Sequence, residues 1–97
     1  MSKYKHAIFY MTGFDDPLKR EVSHYEEDKK LGPMIEEIYQ GIDRSHYLKK
    51  TDLEVSVRNA ASLRTLSSYF RWMGFRVEVP NSEEHVMSIS WGKRKEN

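Results

Sequence analysis

Between Leu53 and Trp91 the hydrophobic period switches from two to about 3.6 and back to two, a succession that few architectures accept. In Leu53–Arg58, Leu53, Val55 and Val57 alternate with Glu54, Ser56 and Arg58, the pattern of a strand with one buried face. From Asn59 to Gly74, Leu63, Leu66, Phe70 and Met73, flanked by Tyr69, recur along one side of a helix. Asn59 or Ser62 supplies its cap and Gly74 its stop. Phe75, Val77 and Val79 then alternate with Arg76 and Glu78 until Pro80 halts the strand. Asn81–Glu84 is a short polar connection, which makes His85–Trp91 an antiparallel hairpin partner with Met87, Ile89 and Trp91 inward.

Upstream the pattern is thinner. Tyr4–Thr12 holds the apolar run Ile8-Phe9-Tyr10-Met11 without alternation, as in a central strand touched on both faces, and Gly13 ends it. Asp15-Asp16-Pro17 reads as a helix start, with an Asp cap and proline at the first helical position. Leu31-Gly32-Pro33 interrupts the helix that follows, so residues 16–42 form either one kinked helix or two, Gly32 serving as a left-handed stop. Met34, Ile35, Ile38, Tyr39 and Ile42 give the second piece its core face, and Gly41 with Asp43-Arg44-Ser45 closes it. The expected fold is therefore α+β: a two-layer sandwich in β-α-β-α-β-β order, its mixed four-stranded sheet covered by helices on one face. Residues 1–92 are expected to make one domain and residues 93–97 a short basic tail.

Composition removes several classes of function. With no cysteine, disulfides, thiolate catalysis and cysteine-based zinc sites are excluded. With 16 basic against 15 acidic residues, global attraction to nucleic acid or an anionic bilayer is weak. The N-terminal apolar run, Ala7–Met11, is shorter than the roughly 7–15 residues of a secretory core or the about 20 of a membrane span. A cytoplasmic protein with no membrane association is the expectation. The element order resembles that of the TusA-type sulfur carriers, the Alba chromatin proteins and the C-terminal domain of a bacterial translation initiation factor. In the sulfur carriers a Cys-Pro-x-Pro motif opens the first helix. The comparable turn, Gly13-Phe14-Asp15-Asp16-Pro17-Leu18, keeps a proline but has no thiol, so sulfur transfer is excluded. Alba-like proteins are more basic and carry a lysine-rich face that has no counterpart here.

Candidate chemistry is sparse. His24 with Glu26, Glu27 and Asp28 lacks metal-site spacing and reads as a solvated helix face; no metal or cofactor is expected. Asp15 and Asp16 are accounted for by capping, and Ser67-Ser68 lacks a nucleophile-elbow context. The expectation is a non-enzyme. What the core stripe leaves over on the helix after Asn59 is Arg64, Ser67, Ser68, Arg71 and Trp72, of which Arg64, Ser68, Arg71 and Trp72 are the candidate contact residues, arginine and tryptophan being common at interfaces. The structural alternative is arginine stems covering apolar surface, with Trp72 beside a neighbouring loop. A second candidate is the uncovered sheet face, with Tyr10, Arg58 and Arg76 among Glu54, Ser56, Glu78, Ser88 and Ser90; the alternative there is a solvated face. The sequence thus points to a small binding or regulatory protein acting by protein–protein contact, with a foreign partner or with itself. A nucleic-acid module using Arg58, Arg64, Arg71, Arg76 and the Lys93–Lys95 tail is the alternative, and an enzyme working through Asp15/Asp16 or His24 ranks below both.

Overall fold

The computed structural model describes residues 4–13, 23–81 and 83–92. It is an α+β structure with the elements α1 (Ala7–Thr12), α2 (Ser23–Glu26), α3 (Leu31–Tyr47), β1 (Asp52–Ser56), α4 (Ala60–Trp72), β2 (Arg76–Asn81) and β3 (Val86–Ser90). The described strands form a three-stranded antiparallel sheet in the order β1-β3-β2. The last strand is thus central. β1 and β2, linked through α4, are the two edges.

The alternating residues sort as their periodicity requires, except Val79, which is exposed where the register shifts between Glu78 and Asn81. Ile89 lies between Leu53 and Val77, and the buried Met87 pairs with Val55 on the helix side. On the opposite side, one row runs Asp52-Ser90-Arg76 and the next Glu54-Ser88-Glu78. α4 starts where Asn59 Oδ1 accepts the Ser62 N–H at 2.8 Å, and it buries Leu63, Leu66, Tyr69 and Phe70. Phe70 meets Phe75 at 5.8 Å and Tyr39 at 5.4 Å, which joins α4, β2 and α3 in one aromatic centre.

Three expectations need correction. Tyr4–Thr12 is not a strand: Ala7–Thr12 is a helix, opened by the extended His6 and closed by left-handed Gly13, whose N–H donates to the Phe9 carbonyl. An apolar run without alternation fits a strand buried on both faces or a helix, and the surroundings decide. Here Ala7 N–H donates to the Met73 carbonyl at 2.8 Å, and the Tyr10 ring packs near Phe75 and Trp91 while Ile8 and Met11 stay exposed. Without that strand the described sheet has three strands rather than four, is antiparallel rather than mixed, and the β-α-β-α-β-β order with its resemblances does not hold.

The second correction concerns residues 16–42. Their described part holds two helices, and α3 runs on through Gly41 and Asp43 to Tyr47. The third is Gly32, which lies in the first turn of α3 and is not a left-handed stop. A Cβ there would come within 2.5 Å of the Glu26 carbonyl oxygen, so glycine permits α2 and α3 to approach. The Asp15-Asp16-Pro17 helix start and the Lys93–Lys95 tail lie outside the described residues.

Candidate functional site

The two edges of the sheet differ. In an antiparallel ladder, alternate residues direct both backbone polar groups to one neighbour. Val57 N–H donates to the His85 carbonyl at 2.8 Å, and Trp91 N–H to the Thr51 carbonyl at 2.9 Å. With the register Asp52↔Ser90 to Ser56↔Val86, Leu53, Val55 and Val57 therefore turn their backbone groups to β3. Asp52, Glu54 and Ser56 turn theirs outward. The β1 register runs without a shift, and the segment carries neither proline nor lysine, two residues that blunt exposed edges.

β2 is blunted. By the same alternation Arg76 and Glu78 bond to β3 and Val77 faces out. Its carbonyl is taken by the Arg71 guanidinium at 3.1 Å. Beyond it the register shifts between Glu78 and Asn81, and Pro80 has no N–H to offer.

A groove of about 920 Å³ runs along β1. The contiguous run Leu53–Arg58 forms one wall, α3 contributes Met34, Glu37 and Ile38, and α4 contributes Leu66. Leu53, Val55 and Val57 are only half-buried, although they share a face with the fully buried Met87 and Ile89. The groove thus combines the apolar side chains of Leu53, Val55 and Val57 along one wall with Lys29, Lys30 and Arg58 among its charged lining. Asp28 holds the turn that carries the lysines: its Oδ1 accepts Lys30 N–H at 2.8 Å and Leu31 N–H at 2.9 Å. The hydrogen bonds from Leu31 and then Lys30 keep its carboxyl below the ordinary range.

The candidate residues read from the sequence separate into groups. Arg64, Ser68, Arg71 and Trp72 lie along α4 at spacings that share one face. Arg64 is exposed, Ser68 half-buried, and Trp72 meets the Tyr25 ring edge-on at 5.6 Å while remaining 44% exposed. Arg76 lies on the open sheet face, opposite α4, and Arg58 lines the groove. Tyr10 does not reach the sheet face: it is buried in α1 and donates to Asp43 Oδ1 at 2.7 Å. The four arginines therefore do not form one patch.

Two residues carry roles that the sequence did not suggest. Glu26, read as part of a solvated face, is buried and accepts the Tyr69 hydroxyl. Tyr39 donates to the Lys5 carbonyl at 2.8 Å, and burial pushes its hydroxyl well above the usual tyrosine range. For β1, the available signal was a contrast between strands: Asp52–Arg58 has no proline, whereas Arg76–Asn81 contains Pro80. Among the described residues no group of three or more His, Asp or Glu could hold a metal ion. None of the described helices is long and apolar enough to cross a membrane. Comparison of the chain with protein-family models, curated proteins and solved structures finds no match.

Proposed function

We propose that this protein is a non-catalytic binding module that works by protein–protein contact, accepting an extended segment of its partner along the outer edge of β1. The observation that carries the reading is the asymmetry of the sheet: β2 is closed by Arg71, a register shift and Pro80, while the outer edge of β1, beside a groove, pairs with no strand among the described residues. Strand addition draws affinity from main-chain hydrogen bonds and specificity from pockets for alternate side chains. Asp52, Glu54 and Ser56 offer the main-chain groups, and the groove wall of Leu53, Val55 and Val57 receives the side chains. Arg71 acts inside the molecule as an edge guard, and Arg64, Ser68 and Trp72 form a separate outer stripe of α4.

Ser56→Pro tests the contact. The N–H it removes points away from β3, so the ladder of the sheet is kept while the outer edge loses a donor. Wild-type and variant proteins are immobilised and offered a displayed library of extended peptides together with protein extract from the source cell. The reading expects ligands that the wild type retains and the folded variant releases. Equal retention by both, or no retention by either, contradicts it.

A further inference from the structure

We propose that the occupant of the β1 edge is β1 of a second copy of the chain, paired antiparallel about a two-fold axis at Val55, which joins two three-stranded sheets into one. The inference rests on the reading of β1 as a contact edge and adds the identity and register of the partner. Only outward-facing residues can exchange hydrogen bonds across the new seam, so within β1 Asp52, Glu54 and Ser56 must pair among themselves, and Arg58, in the bend just past the strand, is next in the same alternation. Among the two-fold registers that keep this alternation, those centred on Glu54, Val55 and Ser56 overlap the strand most, and charge and length separate them.

Centred on Glu54, the pairing sets Glu54 against its own copy, and like charges directly opposite are destabilising. Centred on Ser56, it matches Glu54 with Arg58 but runs Asp52 into Ala60, where α4 has begun, and so shortens the ladder. Centred on Val55, it sets Glu54 opposite Ser56 within the strand and brings Asp52 opposite Arg58, in the bend that follows β1 of the other copy, twice by symmetry. On the helix side the same register sets Val55 against Val55 and Leu53 against Val57. Those are the half-buried side chains that the isolated chain leaves lining its groove. An isologous contact of this kind closes on itself and stops at two copies. The second edge cannot extend the assembly, because β2 is blocked by Arg71 and Pro80.

The absence of cysteine makes the register directly readable. Residues facing each other in a non-hydrogen-bonded pair lie about 4.5 Å apart at Cα, within disulfide reach. Light scattering on the wild type is expected to approach twice the 11.6 kDa chain mass as concentration rises. Under glutathione redox buffer, Val55→Cys is expected to convert to a disulfide-linked dimer, and Glu54→Cys to remain largely unlinked. Because Val55 touches the core, an exposed pair supplies a check free of folding effects. Arg58→Asp is expected to weaken the dimer by roughly tenfold, and Asp52→Arg with Arg58→Asp to restore it. Preferential cross-linking through Glu54→Cys overturns the register. A dimer insensitive to both charge changes overturns the seam, and a monomer at all concentrations with no linkage through Val55→Cys overturns the second copy as occupant. That last result leaves the strand-addition reading standing on the Ser56→Pro comparison, so the two fail separately.

Discussion

Replacing Gly32 by alanine should destabilise this protein, although helix propensity alone says the opposite. Alanine is favoured over glycine within a helix by up to about 1 kcal/mol. Against this stands geometry: the new Cβ would lie 2.5 Å from the Glu26 carbonyl oxygen, a backbone atom. That oxygen cannot rotate away as a side-chain end can. Relief requires the turn between α2 and α3 to move, which disturbs the Gly32 N–H bond to the Asp28 carbonyl at 2.8 Å. Forcing atoms into a close-packed site costs about 1–3 kcal/mol, so with a backbone atom as the obstacle the clash outweighs propensity by up to about 2 kcal/mol. For a domain of this size that lowers Tm by up to about 16 °C. Gly41→Ala is the matched control, because the nearest atoms to its Cβ belong to the Leu53 side chain, Cδ2 first at 3.0 Å. That methyl group can shift by a few tenths of an ångström, so propensity dominates and stability should hold or rise slightly. Urea unfolding followed by far-UV circular dichroism gives both midpoints. A Gly32→Ala protein as stable as Gly41→Ala would refute the close approach of α2 to α3.

Two further perturbations follow from hydrogen bonds at the ends of the fold. Asn59→Ala removes the acceptor for Ser62 N–H and should cost about 1 kcal/mol, measured by the same denaturation; an unchanged midpoint contradicts the assigned cap. Burial raises the Tyr39 hydroxyl pKa above its unfolded value, so its contribution to stability is complete below pH about 10 and is lost as pH rises beyond it. Tyr39→Phe should therefore flatten the alkaline fall in unfolding free energy, and an identical pH slope in both proteins would count against a buried Tyr39.

How much of this was legible before the structure depends on where the deciding interactions lie. Leu53–Trp91 could be read because its information is local: strand alternation and the Leu63-Leu66-Phe70-Met73 stripe each specify a face without reference to distant residues. The Ala7–Thr12 helix was not readable, since its apolar run is compatible with either element. Its outcome is fixed by contacts with Met73, Phe75 and Trp91, far along the chain. Glu26 follows the same rule, its burial depending on Tyr69 in another helix. On the candidate site, the Arg64–Trp72 stripe was visible as a spacing, but the role of Arg71 was not. That role exists only because the last strand inserts between β1 and β2, which turns Val77 outward. Strand order is a property of the assembled sheet. The periodicity of a strand names its faces and is silent about its neighbours, so it does not show that β1 lies at an edge of the described sheet.

The most direct test of the central claim, that β1 presents its outer edge for pairing, is amide hydrogen exchange resolved by residue as protein concentration is raised. The amides of Leu53, Val55 and Val57 should be protected at every concentration because they bond to β3. Those of Glu54 and Ser56 should exchange freely when dilute and become protected as copies associate. Outer amides that exchange freely at all concentrations would contradict self-pairing at this edge. Outer amides protected even in the dilute monomer would contradict the bare edge itself.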